Sequence, residues 1–155
     1  TYVTVSNDKR LEYMKENLVA EVLCTDTDAV RTVQFLRKAL QDAIDSGLVP
    51  EMTQDNYEWY SDVLVRELVG VNILVYRSEV DSTRYAACAF TSNDIDHHVI
   101  GYGLTAQVTF STCSVCLKSL MLNLKSLAKE LGMSWVKLQH RVGNNTYRTK
   151  IYNVR

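Results

Sequence analysis

Apolar positions along the chain switch between helical and strand periods, and the order of the switches sets out the elements. A short alternating run at 2–5 precedes Ser6 or Asn7 as a helix cap, with Leu11, Met14 and Leu18 on one helical face. Residues 19–24 read as a strand. Thr25 or Asp26 then caps a helix on which Ala29, Val33, Leu36, Leu40, Ala43 and Ile44 recur at helical spacing until Gly47 and Pro50 stop it. Thr53 caps the next helix, with Tyr57, Tyr60, Leu64 and Leu68 on its buried side and its end near Gly70.

The middle of the chain changes period. Runs at 71–76 and 85–91 are rich in branched and aromatic residues and are joined by a polar turn, as an antiparallel hairpin requires. A polar loop at 92–98 leads to a third strand at 99–110. Gly101 and Gly103 weaken a strand unless they mark a bulge or the close approach of another group, so they count as a functional hint. Residues 111–132 carry the clearest helical stripe: Leu117, Leu120, Met121, Leu124, Leu127, Ala128 and Leu131, with Ser111 or Thr112 as cap and Gly132 as the residue past the end. A strand follows at 135–142. The tail from Gly143 is open to two readings: a hairpin into a strand at 146–154, or a helix capped by Asn144 or Asn145. The expected fold class is α/β (α+β), a mixed, mainly antiparallel sheet flanked by helices, in one domain spanning 1–155.

Length and composition narrow the class. At 155 residues with 46% hydrophobic residues and one proline, the chain is of ordinary single-domain size and neither disordered nor collagen-like. No run reaches the roughly 18 apolar residues of a membrane span, and the polar start lacks the basic-then-apolar order of a signal peptide. A cytoplasmic or virion-internal location is expected, with Cys24, Cys88, Cys113 and Cys116 reduced. The net charge of −1 hides an asymmetry, because residues 1–78 carry 8 basic and 13 acidic side chains and residues 79–155 carry 9 and 5. The basic half suits an anionic partner such as nucleic acid, a phosphorylated cofactor or an acidic protein; a solvated basic face is the alternative.

Several patterns bear on chemistry. Cys113 and Cys116 form a CxxC at a helix start, the setting of a thioredoxin-like redox motif, where the helix dipole lowers a thiol pKa. That motif needs a cis-proline downstream and Pro50 lies upstream, so two small residues packing at a helix start is the favoured reading. A zinc site from these cysteines with His97 and His98 is short of a ligand, because adjacent strand residues point to opposite faces. Nucleophile-elbow, P-loop and dinucleotide motifs do not occur. Asn93, Asp94, Asp96, His97 and His98 cluster between two strands, where a carboxylate or imidazole can take a proton from an amine. The start of the long helix, with free N–H groups and the Thr112 and Ser114 hydroxyls, suits a phosphate, the alternative being a simple cap.

Within that order, Leu120, Met121, Leu124, Ala128 and Gly132 stand at the spacing LLxxLxxxAxxxG, Val136, Leu138 and His140 alternate on the next strand, and Asn145 precedes Tyr152 by seven residues as in NxxAxxxY. With its strand, two helices, three antiparallel strands, long helix and strand, the chain resembles the GNAT superfamily of acyl-CoA-dependent N-acyltransferases from about Val19 onward. The resemblance implies acetyl-CoA as co-substrate, lying along Val108 and Phe110 and against the helix start at Thr112, Cys113, Ser114, Val115, Cys116 and Leu117, with Asn145 a further contact. It implies an amine acceptor, deprotonation by Asp94, Asp96 or His97, and Tyr152 as the acid that protonates the thiolate. The family's [Q/R]xxGx[G/A] is here Thr112 with Val115 and Leu117 in its last positions, and Arg148 fills the small-residue position of the final motif. Small phage-encoded GNAT-like proteins, some of them virion components, are similar in this erosion. A non-catalytic GNAT-like structural or host-inhibiting protein, acting through protein contacts or self-association, is therefore the competing expectation.

Overall fold

The computed structural model describes residues 17–47, 49–92, 101–143 and 146–154. The strand and helix expected before Leu18 lie outside these residues. The described elements run β1 (Leu18–Leu23), α1 (Ala29–Ser46), a 3-10 turn (Gln54–Asn56), α2 (Tyr57–Glu67), β2 (Asn72–Ser78), β3 (Tyr85–Thr91), β4 (Gly103–Ser111), α3 (Ser114–Glu130), β5 (Trp135–Gly143) and β6 (Thr146–Asn153). The six strands form one sheet in sequence order, antiparallel throughout except for the parallel pair β4 and β5. This is the mixed, mainly antiparallel sheet with flanking helices that the chain's periodicity predicts.

The period-two alternation of the central strands divides the core between the two faces. Ile73 and Val75 of β2 and Ala87 and Ala89 of β3 pack with Leu36 of α1 and Leu68 beyond α2. Leu74, Ala86 and Cys88 point the other way and meet Cys116, Leu120, Leu124 and Ala128 of α3, with Leu104, Ala106 and Val136 of the parallel pair. Leu120, Leu124 and Ala128 are fully buried, at the spacing that their stripe requires.

Helix ends differ from expectation in ways that local chemistry explains. Thr25–Thr27 form a turn, and Asp28 is the cap of α1, its carboxylate accepting the Arg31 N–H at 3.0 Å. Thr25 is drawn elsewhere: its hydroxyl accepts the Gly70 N–H at 2.8 Å and ties the start of α1 to the end of α2. Gly47 (φ 68°) and Gly132 (φ 73°) take the left-handed conformation that closes α1 and α3, and the Met133 N–H bonds back to the Ala128 carbonyl at 2.8 Å. The tail is the hairpin rather than the helix: β6 pairs with β5 from Trp135↔Asn153 to Gly143↔Thr146.

Candidate functional site

The β3–β4 ladder slips by one residue, since Ala87 faces Phe110 whereas Ala89 faces Gln107. The extra residue falls on β4, where Val108 is held at φ 52°. A β-branched residue in the left-handed region is a strained arrangement that only its surroundings can fix. The parallel ladder with β5 runs from Gly103↔Trp135 to Ala106↔Leu138 and stops just before this bulge. Beyond it β4 stays paired with β3 to Ser111 and β5 stays paired with β6 to Gly143. A bulge bends its strand, so the two central strands part there. Among the described residues, the edge of β4 from Gln107 to Ser111 has no strand partner towards β5, and α3 begins three residues further on.

The two glycines expected within this strand have a structural explanation, although β4 begins at Gly103 and Gly101 lies before it. Gly103 lies against Trp135, and a Cβ built on it would clash with the indole carbons Cδ2, Cε2 and Cε3. The indole N–H donates to the Gly101 carbonyl at 2.9 Å, and Gly101 has φ 118°. The close approach inferred from these glycines is therefore made by Trp135 of the neighbouring strand, not by a ligand.

At the start of α3 the cap is Cys113, not Ser111 or Thr112. The Thr112 hydroxyl donates to the Thr83 carbonyl at 2.5 Å and accepts the Tyr85 N–H at 3.0 Å, so it fastens α3 to the β2–β3 turn. Its proton is thus committed, which corrects the expectation of a hydroxyl turned towards a phosphate. The Leu117 N–H is the first to enter the helical ladder, to the Cys113 carbonyl at 3.0 Å. The amides of Ser114, Val115 and Cys116 precede it at the positive end of the helix dipole. Ser114 is exposed, Val115 and Leu117 are half-buried, and Cys116 is fully buried. Arg84 reaches this point from the β2–β3 turn, its Nη2 donating to the Cys113 sulfur at 3.2 Å.

Two hollows border β4 and α3. One, of about 170 Å³, lies between α1, α2 and the bulge; Val108, Thr109 and Phe110 form its wall and Leu36, Leu40 and Leu64 face them. Its lining carries no charged side chain, and the buried Thr109 hydroxyl has no hydrogen-bond partner. The other, of about 480 Å³, lies along α3, β5 and β6, with Leu117, Met121, Leu138 and Tyr152 surrounded by Lys118, Lys125 and Lys150. The Lys125 ammonium stands 4.4 Å from the centre of the Tyr152 ring.

Tyr152 is on a strand opposite Val136, which itself faces Leu104, four residues before Val108. The helical motif position that the resemblance implied for it is not formed, and the assignment as general acid loses its basis. Asp94, Asp96, His97 and Asn145 lie outside the described residues, as does His98 of the zinc reading.

A pair of the buried Tyr85 and the half-buried Asp42 was not anticipated from the sequence. The Tyr85 phenol donates to the Asp42 carboxylate at 2.6 Å, beneath the rings of Phe35 and Phe110. Burial, and then the Asp42 hydrogen bond and charge, push its pKa far above the tyrosine range. The two residues are 43 apart in sequence, so no local pattern marks them.

No protein-family profile matches the chain, and no curated protein matches it in sequence. Among solved structures it is similar to a GNAT-family acetyltransferase from Listeria monocytogenes, with 12% identity, a TM-score of 0.49, and coverage of 83% of this chain and 79% of that chain. It is also similar to a predicted acetyltransferase with acetyl-CoA from Clostridium acetobutylicum, with 14% identity, a TM-score of 0.47, and coverage of 79% and 80%. The class of the chain rests on its own topology: an α/β protein with a mixed, mainly antiparallel six-stranded sheet, whose parallel central pair parts at a bulge beside a helix start.

Proposed function

We propose that the chain binds acetyl-CoA and transfers the acetyl group to an amine. The observation that carries this reading is the left-handed bulge at Val108, beyond which β4 has an open edge running towards the start of α3. An extended chain bearing amides can add to such an edge as a strand would. Its phosphates would meet the amides of Ser114, Val115 and Cys116, with Lys118 and Lys125 along the same helix. In this reading the acceptor amine attacks the thioester carbon directly. Charge develops on the carbonyl oxygen, and backbone N–H groups of residues 107–110 donate to it. Asp94, Asp96 or His97 takes the amine proton, and the departing thiolate is protonated by water, with Tyr152 left as part of the cleft wall.

Titration calorimetry with acetyl-CoA tests the reading. Saturable 1:1 binding at micromolar Kd is expected. No heat and no thermal stabilisation at millimolar ligand would overturn it. A second reading, a GNAT-like protein without catalysis that works by protein contacts, is favoured by Val115 and Leu117, whose side chains stand where the resembled family has glycine and a small residue. It predicts a stable oligomer or partner complex in chromatography with light scattering, together with no coenzyme binding.

A further inference from the structure

The turn between β2 and β3 is braced from within. The Ser78 hydroxyl accepts the Val80 and Asp81 N–H groups at 3.3 and 3.2 Å, and the Asp81 carboxylate accepts the Thr83 N–H and hydroxyl at 3.0 and 2.6 Å. Thr112 then bonds this turn to the start of α3. Arg84, the last residue of the turn, is thereby carried to within 3.2 Å of the Cys113 sulfur, 29 residues away in sequence. Cys116, one helical turn on and fully buried, turns its thiol towards the same sulfur. The outer cysteine is half-buried and cation-paired; the inner one is shielded.

We propose that Cys113 and Cys116 are a thiol–disulfide couple, in which Cys113 attacks a low-molecular-weight disulfide and Cys116 resolves the adduct. The Cys113 thiolate attacks one sulfur of the disulfide, forming a mixed disulfide and expelling one thiolate. That thiolate takes the Cys116 proton and leaves as a thiol. Cys116 then attacks the Cys113 sulfur, closes the Cys113–Cys116 bond and expels the second thiolate, so two electrons pass from the pair to the small disulfide. Burial opposes the thiolate of Cys113. The amide and thiol of Cys116, the amide of Val115 and the Arg84 charge favour it, and together they hold the thiol below its ordinary value. Neither amide completes a full cap bond to the sulfur, so they act on it as oriented dipoles. The other cysteines are internal controls: Cys24 is buried, and Cys88 is pushed up to about 12 by burial. The couple needs no acyl-CoA and stands whether or not the chain transfers acyl groups.

The test is reaction of the full chain with oxidised glutathione, read by peptide mass spectrometry. A Cys113–Cys116 disulfide is expected, with Cys24 and Cys88 unmodified, and Cys116→Ser should stop the reaction at a Cys113 glutathione adduct. Arg84→Gln should slow Cys113 alkylation at neutral pH about three- to ten-fold, as a smaller thiolate fraction requires. Should that variant fail to fold, the pH profile of Cys113 alkylation in the unaltered chain decides, with a midpoint expected below about 8.5, the value of a free cysteine. A midpoint at or above that value, no adduct on Cys116→Ser, or a pair that stays reduced would overturn the proposal.

Discussion

Replacing Gly103 with alanine tests how β4 and β5 are joined. The new methyl would clash with the Trp135 indole, so either the ring shifts or the strands separate. Trp135 is 3% exposed. A tryptophan buries up to about 250 Å² and apolar burial contributes about 25 cal/mol per Å², which bounds complete expulsion at about 6 kcal/mol. Partial displacement with repacking costs about 1–3 kcal/mol, and loss of the indole bond to the Gly101 carbonyl adds about 1 kcal/mol. The expected destabilisation is therefore about 2–4 kcal/mol, a large share of the roughly 5–15 kcal/mol that holds a domain folded. Urea unfolding followed by far-UV dichroism and fluorescence measures it. A Trp59→Phe background removes the signal of the 63% exposed indole, so that any red shift belongs to Trp135. Gly132→Ala makes the same chemical change where nothing lies within 4 Å of the new carbon, and should cost about 1 kcal/mol through its positive φ alone. If Gly103→Ala is no worse than Gly132→Ala and leaves the emission unshifted, the contact is not what holds the glycine in place.

Four other outcomes are expected. Tyr85→Phe should cost about 1.5–3 kcal/mol by removing a hydrogen bond to a carboxylate; because the folded state raises this phenol's pKa, its contribution is complete below about pH 10 and lost above it, and the variant should lack that alkaline loss in pH-dependent unfolding. Leu120→Ala should cost about 2–5 kcal/mol, whereas Leu122→Ala, at a residue 65% exposed on the same helix, should stay within about 0.5 kcal/mol in the same urea titration. Thr112→Val should lose about 1–3 kcal/mol by leaving the Tyr85 amide and Thr83 carbonyl unpaired, with little change in the acetyl-CoA Kd by calorimetry. On the proposed reading, in which water protonates the thiolate, Tyr152→Phe should leave acetyl transfer within about two-fold in a steady-state assay; a hundred-fold loss would restore the tyrosine as the acid.

What could be read from the sequence follows the range of the interactions concerned. The stripe from Leu120 to Ala128 and the alternation of 71–76 and 85–91 are local periods, and they became α3, β2 and β3. The cap of α1 was misplaced because Thr25, Asp26, Thr27 and Asp28 are all good caps, and the bond from Gly70 to Thr25 lies 45 residues away. The start of α3 was misplaced for a similar reason, since the Thr112 hydroxyl is claimed by the β2–β3 turn. Gly103 was rightly marked as a point of close approach, but the approaching group, Trp135, comes from a strand beyond the next helix. Of the candidate site, the CxxC at the helix start was legible; the Val108 bulge with its open strand edge, Arg84 beside Cys113 and the Asp42–Tyr85 pair were not, because each depends on residues that only the fold brings together.

The parallel joint between β4 and β5 has a kinetic consequence. β2, β3 and β4 are consecutive strands that pair as an antiparallel meander, and β5 with β6 is a hairpin, so each can assemble from near neighbours. Four residue pairs join these two units across the sheet, and they close only after the whole of α3 has been placed. Contacts that close long loops form late, and small units of low contact order form early. The seam is thus the last part of the sheet to zip, and until it closes the open edge of β4 extends back to Gly103. Chain topology thereby places the last-formed part of the sheet next to the start of α3.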